Sequence, residues 1–499
     1  MNTLISDNWL RKDLRPFAVL ASLFISLYTI LLPDSPNDDA YIYIRTAEIV
    51  LDQGIGAAFE HYSWATYSIL IAALGSIGID LFLAAHIINA AFYALLVYVF
   101  LSIVREITND EMINALAVLC VLLYPELNEL RYLIIRDVGY WTFSLLAIYL
   151  FMRYLDTARW QTAVAYTLSF LFAATMRPEA LIYMLLLPLT LFLLQVQSRN
   201  TLLVRIYSVV CALGIAALLI LGMVGVNIIS LFASFVASYV PFLQTLINPD
   251  PAEEALIASV LFGEYAGGYS DEYIVAFFAT GLLAILFGNV FNAIGWPYFL
   301  LLIAGVWRRM LLIPRTYFVV LLWIVILNLL ILFVFLFVTR YLTSRYAMLM
   351  SLVLLAFVPV ILAEMLRRVS DARKQLLRNS LVVLFVYCTV DAFISFGDSK
   401  DYVFEAADWI TANTTVSTTL ITNNHAIAYK SGRVEEYDYI PRYIGRDQIA
   451  ESQRGDIIAL EWSVEMEGAF RFGVTNGQIE LLQTFADEDN NRVEIYRRL

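Results

Sequence analysis

The chain alternates long apolar runs with short polar connections, and the length of those runs limits what it can fold into. A helix advances about 1.5 Å per residue, so crossing the hydrocarbon core of a bilayer takes roughly 20 predominantly apolar residues. Runs of this kind number about eleven, near 17–32, 80–104, 112–125, 138–155, 160–176, 179–196, 202–229, 276–306, 316–338, 346–366 and 379–396. The expected fold class is therefore a polytopic α-helical membrane protein with about eleven transmembrane helices. Composition supports this: 61% of the 499 residues are hydrophobic, 15% are charged, and the mean hydropathy is +0.73. Soluble domains run nearer ~45–50% apolar and ~25% charged.

Other classes fall away on the same figures. Cys120, Cys211 and Cys388 all lie inside apolar runs, which leaves neither a disulfide framework nor metal-ligand spacing. A net charge of −12 argues against nucleic acid as a partner. The N-terminus resembles a signal peptide, with Arg11, Lys12 and Arg15 ahead of an apolar run. No small-x-small cleavage site follows, and Pro33-Asp34-Ser35-Pro36 ends the run, so an uncleaved first span is expected. The stretch 64–79, opening Trp64-Ala65-Thr66-Tyr67-Ser68, is short for crossing and reads as a half-buried or interfacial helix.

Positive residues orient the spans. With the N-terminus inside, the inner loops collect Arg105, Arg153, Arg159, Arg199 and Arg205, then Arg308, Arg309, Arg315 and the basic run Arg367–Arg378. Before the tail, the outer side holds only Arg45, Arg131, Arg136, Arg177, Arg340 and Arg345. The expected arrangement is N-terminus cytoplasmic and C-terminus extracytoplasmic in a cell membrane of bacterial or archaeal type. Residues 1–398 form the membrane domain and 399–499 a small polar α/β domain on the outer face. In that tail, 402–411 reads as a helix and 418–422, 456–462 and 492–497 as short strands, with Gly432, Gly455 and Gly477 as turns. The outer loop 230–275, with Asn248-Pro249-Asp250-Pro251 and Glu253-Glu254, reads as a surface helix or as a lid.

Two groups of residues carry chemistry. After the first span comes Asn37-Asp38-Asp39-Ala40-Tyr41, opening a helix that Gly54 stops. Capping the helix needs one side-chain oxygen, and an acidic first turn suits the helix dipole. A second carboxylate at an apolar membrane wall suits a general base. The other group is the outer arginines, Arg131, Arg136, Arg177, Arg340 and Arg345. Guanidinium forks fit phosphate oxygens. The alternatives are contact with lipid head groups or pairing with Glu126, Glu129, Asp137 and Glu179. A carboxylate base with several arginines suits a lipid-linked phosphate substrate. The arginines would hold the phosphate as leaving group, and the base would take a proton from the attacking acceptor. Three histidines, His61, His86 and His425, make a His-rich metal site improbable.

The paired acid Asp38-Asp39-Ala40-Tyr41, the helix ending Asp52-Gln53-Gly54, Arg177-Pro178-Glu179 and Arg345-Tyr346 occur in an order that resembles the GT-C superfamily of membrane glycosyltransferases. Similar branches are the protein O-mannosyltransferases and the lipid A aminoarabinose transferases. The tail helix with Ala406-Ala407-Asp408-Trp409-Ile410 and the strand Gly455-Asp456-Ile457-Ile458-Ala459 fit the same resemblance. It implies a polyprenyl-phosphate sugar donor, inverting transfer on the outer face, and a lipid, glycan or protein acceptor. On it, Asp39 matches the catalytic acid, with Asp38 as alternate or helper. Arg177 and Arg345 match positions near the donor phosphate, followed by Arg131, Arg136 and Arg340. Many relatives carry His-Pro-Pro after the first-loop helix, where this chain reads His61-Tyr62-Ser63-Trp64. His61, Tyr41 and Trp64 are candidates for the acceptor or sugar pocket, and His61 also reads as a plain interfacial residue. Some relatives bind a divalent ion at the acidic pair. Here only Asp38, Asp39 and Glu60 could supply ligands, so catalysis without metal or other cofactor is expected. The competing reading is a transporter or flippase of a lipid-linked anionic substrate, which would use the arginines without a base. A scaffold presenting the tail is a further alternative.

Overall fold

The computed structural model describes residues 13–31, 36–196, 198–223, 273–394, 400–415 and 417–499, with isolated positions between 226 and 240. Most of the loop that reads as a surface helix or lid lies outside the described residues. The chain divides into two compact units. One comprises Met1–Leu27, Ile88–Arg131 and Arg136–Ile394; the other comprises Tyr28–Ile87, Tyr132–Ile135 and Ser395–Leu499.

Among the described residues, seven helices are long and apolar enough to cross a membrane. They are Leu81–Ile107, Asp137–Thr157, Arg199–Met223, Ala276–Ile294, Arg315–Thr339, Ser344–Arg368 and Arg373–Phe393. This is a mainly helical integral membrane protein. Shorter apolar helices include Arg15–Leu31, Glu111–Leu122, Glu179–Phe192 and Trp296–Trp307. Three of the expected runs form helices of 12 to 17 residues, Arg15–Leu31, Glu111–Leu122 and Trp160–Met176, and two others are broken. The run 276–306 is cut at Gly295, whose φ of +77° suits glycine, and Pro297 then opens the next helix. The run 179–196 changes to a tighter 3-10 turn at Leu187, just before Pro188.

In the first unit, Asp137–Thr157 packs along Trp160–Met176, the two joined by Ala158 in the left-handed region at φ 50°. Trp141, Phe151, Tyr166 and Phe170 are fully buried in this unit. Burying each aromatic ring removes about 150–250 Å² from solvent or lipid. Leu282, Leu286, Leu332, Leu336 and Met350 form a further buried cluster.

The second unit is built on a four-stranded sheet of order β1-β2-β4-β3, with β1 Leu420–Thr422, β2 Ile457–Glu461, β3 Ile479–Ala486 and β4 Arg492–Arg498. β1 runs parallel to β2, and the other pairings are antiparallel. Alternation along β2 fills both faces. Ile457 and Ala459 join Val403, Ala406, Ala407 and Ile410 of the helix Asp401–Asn413 on one side. Ile458 and Leu460 join Met466, Phe470 and Ile479 on the other. β3 is not legible in the sequence because its burial follows no clean alternation and its pairing is irregular between Leu481 and Gln483. The first-loop helix Asp38–Gln53 belongs to this unit, and Tyr41 is part of the same core as Tyr402 and Ile427.

Candidate functional site

In the first unit, the order Arg177-Pro178-Glu179 creates a sharp break. A residue before proline is steered away from the helical region. The helix Trp160–Met176 therefore ends, Arg177 is extended at φ −148° and ψ 128°, and Pro178 leads into the helix from Glu179. The break exposes the Arg177 guanidinium to carboxylates on two elements. It donates to Oδ1 of Asp137, and its Nη2 lies 2.9 Å from Oε1 of Glu179. The same guanidinium stacks 4.1 Å above the Tyr346 ring. Burial opposes its charge, but Glu179 and Asp137 outweigh burial and hold its pKa well above the ordinary arginine value.

Arg177 contacts Asp137 directly, and Arg345 and Arg136 act on the same carboxylate through their charge. Arg136 immediately precedes the helix Asp137–Thr157, and Arg345 lies in the 3-10 turn Ser344–Ala347 beside Tyr346. Arg340 ends the helix Arg315–Thr339 in the left-handed region at φ 61°, with its guanidinium 4.0 Å over Phe278. Arg131 is placed differently. It is 2% exposed, bonded to Asn128, Ser22 and Ser26, and lies 4.3 Å over Tyr93. Burial lowers its pKa to about 10. Glu126, whose place in the chain suggests a partner for these arginines, instead packs against the bare α-carbon of Gly295. Burial, reinforced by Glu129 and Asp391, pushes its carboxyl up to about 8.

Beside this cluster lies a narrow cleft within the first unit. Arg177, Glu179, Tyr140, Tyr183, Asn328 and Tyr346 give it polar groups. Ile331, Leu332 and Phe335 supply an apolar wall. Convergent polar groups on an apolar wall are the ordinary make-up of a ligand pocket.

In the second unit, Asp38 and Asp39 occupy the first turn of the helix Asp38–Gln53. Neither is its N-cap. That position falls to Asn37, whose side chain makes no cap hydrogen bond and instead brackets Ile134. Asn37 Nδ2 donates to the Ile134 carbonyl at 3.2 Å, and the Ile134 N–H donates to Asn37 Oδ1 at 2.8 Å. The chain reverses at Gly54, φ 92°, where the sequence places the helix stop. Asp38 is exposed and Asp39 half-buried, which separates two acids that are equivalent in the sequence.

His61 ends the short helix Ile55–His61, and its Nε2 lies 2.7 Å from Oδ2 of Asp438. Tyr41 is 3% exposed, its ring stacked on His425 at 5.7 Å and flanked by Phe82, Tyr429 and Tyr437. Trp64 is half-buried in the turn before the helix Thr66–Gly75. Sequence reasoning misses Asp438 because nothing near it in the chain marks a partner for His61. It also misses Asn328, although a lone amide within the apolar run 316–339 is a readable signal. No cluster of potential metal ligands occurs among the described residues.

Neither a protein-family model nor a curated protein matches the sequence. Solved structures do. The archaeal oligosaccharyltransferase AglB from Archaeoglobus fulgidus, solved with an inhibitory peptide and a dolichol-phosphate, superposes with a TM-score of 0.52 at 10% identity. That match covers 97% of this chain and 74% of AglB. The mycobacterial arabinofuranosyltransferase AftD gives a TM-score of 0.45 at 11% identity, over 99% of this chain and 42% of its own length. The chain is thus similar in fold to the oligosaccharyltransferase AglB.

Proposed function

We propose that the protein is a membrane glycosyltransferase. It moves a sugar from a polyprenyl-phosphate donor to a lipid, glycan or protein acceptor at the outer membrane face, with inversion at the sugar carbon. The observation that carries this reading is the likeness in fold to AglB over 97% of the chain. The dolichol-phosphate bound to AglB supports an isoprenoid phosphate as the donor carrier.

In this reading Asp39 is the general base. It accepts the proton of the acceptor nucleophile as that group forms its bond to the sugar carbon and the carbon–oxygen bond to the lipid phosphate breaks. The half-buried position of Asp39 favours it over exposed Asp38, which assists through its charge at the helix N-terminus. Arg345, Arg136 and Arg177 take the charge that develops on the departing phosphate, with Arg340 as an outer contact. Arg131 and Tyr41, enclosed by their own contacts, act by positioning their elements. His61 and Trp64 belong to the acceptor side. No metal is required. About eleven spans, N-terminus cytoplasmic and tail extracytoplasmic, complete the arrangement.

Transfer of labelled sugar in membranes carrying wild type, Asp39→Asn or Arg345→Ala tests this, with polyprenyl-phosphate hexose and pentose donors side by side. Donor-dependent labelling should disappear in Asp39→Asn while the protein still accumulates and folds. Labelling that survives in both variants would sink the catalytic assignment. Movement of the lipid-linked donor across the membrane without transfer would establish a flippase instead.

A further inference from the structure

Asn328 lies at the middle of the helix Arg315–Thr339, a segment with no other amide or charged side chain between Thr316 and Thr339. It is 2% exposed. One end of its amide donates to the Tyr183 hydroxyl at 2.5 Å, and Tyr140 lines the same cleft beside Tyr183. The other end, Oδ1, is buried with no hydrogen-bond partner among the described residues. Leaving a buried amide half-satisfied in an apolar span typically costs about 1–3 kcal/mol. A leucine would fill the position without that cost. All three side chains line the cleft that also holds Arg177 and Glu179, together with Ile331, Leu332 and Phe335.

We propose that the Asn328–Tyr183–Tyr140 group is a hydroxyl-recognition subsite for the sugar ring of a lipid-phosphate sugar. The inference rests on the glycosyltransferase reading above and names what selects its donor. A sugar presents hydroxyls that both donate and accept, which matches an amide end without a partner followed by two phenol hydroxyls. It also presents apolar C–H faces that suit a wall of isoleucine, leucine and phenylalanine. A site built around hydroxyl partners rejects analogues lacking them, because its own buried polar groups are then stranded.

The test uses the full chain in lipid nanodiscs and reads ligand affinity from shifts in thermal unfolding. The probes are farnesyl phosphate, the farnesyl-phosphate derivatives of mannose, glucose and arabinofuranose, and singly deoxygenated analogues of whichever sugar binds. Wild type should bind one sugar-bearing lipid more tightly than farnesyl phosphate, and removal of one particular hydroxyl should weaken it about ten- to hundredfold. Asn328→Leu should bind parent and deoxy analogue alike, with its affinity for farnesyl phosphate unchanged. Tyr183→Phe, a smaller change, should narrow the discrimination in the same direction. Wild type binding every deoxy analogue as tightly as the parent overturns the subsite without appeal to any variant. A variant that loses farnesyl phosphate and sugar lipid equally also overturns it. Wild type that binds no sugar-bearing lipid and no farnesyl phosphate overturns the subsite together with the glycosyltransferase reading, which separates the two failures.

Discussion

His61 Nε2 and Asp438 Oδ2 are 2.7 Å apart, joining segments separated by 377 residues of sequence within one compact unit. The Asp438 side chain is fully enclosed, that of His61 is 22% exposed, and Tyr439 donates from its hydroxyl to the His61 carbonyl at 3.3 Å. The other Asp438 oxygen is buried with no partner among the described residues, so the carboxylate depends on the imidazole. His61→Leu should therefore cost about 2 kcal/mol by stranding a buried carboxylate. Asp438→Leu in the same background should return part of that loss. Thermal unfolding of the two single variants and the double variant measures the coupling. Strictly additive losses would show that the pair is incidental.

Asp38 and Asp39 are adjacent, yet one is exposed and the other half-buried. If Asp39 takes the acceptor proton, Asp39→Asn should lower turnover by about 10²–10⁴ with little change in protein level. Asp38→Asn, at a solvated position, should lower it less than about tenfold, consistent with a helix N-terminal charge effect. Initial rates at saturating donor decide the ranking. A larger loss in Asp38→Asn would reverse it.

Legibility in the sequence follows the range of the interactions. The long apolar helices, the stop at Gly54 and the tail strands at 457–461 and 492–498 are visible because each depends on local periodicity or on one punctuating residue. The break at Gly295 is hidden because hydropathy continues unbroken through it, and only the positive φ and the following proline reveal it. The gathering of Arg136, Arg177 and Arg345 is foreseeable in kind, since the positive-residue bias assigns all three to one membrane face. That Arg177 pairs with Asp137 is not, because the two lie 40 residues apart and no sequence spacing encodes the contact. Arg131 looks like its neighbours in the chain, and only its contacts with Ser22, Ser26 and Asn128 set it apart.

Arg177 sits between Asp137 and Glu179, so its removal does more than delete one phosphate contact. Arg177→Leu leaves two carboxylates without their shared cation, and an uncompensated buried charge costs about 3–5 kcal/mol. The variant should accumulate poorly and unfold at lower temperature. Adding Asp137→Leu and Glu179→Leu should recover much of the stability but none of the donor binding. Arg345→Ala, by comparison, should keep the unfolding midpoint near wild type and raise KM for the donor. An Arg177→Leu protein of normal stability, altered only in KM, would show that the ion-pair cluster does not support the fold.

Glu126 gives the protein a pH dependence of defined sign. Burial, with help from Glu129 and Asp391, raises its carboxyl from the ordinary value of 4.5 to about 8 in the folded chain. The folded state then holds a proton that the unfolded state releases, so stability falls as pH rises from about 4.5 to about 8 and levels off beyond. Partial exposure reduces the full effect, leaving roughly 2–4 kcal/mol across that window. Glu126→Gln, which keeps the shape and cannot ionise, should flatten this part of the profile and make the protein more stable than wild type at pH near 8. Gly295→Ala should do the opposite at every pH, because a Cβ there would occupy the space of the Glu126 carboxyl and the φ of +77° disfavours alanine. Unfolding midpoints of the three proteins across that pH range test both expectations. A wild-type midpoint that rises with pH through the window would show that Glu126 is ionised in the native state.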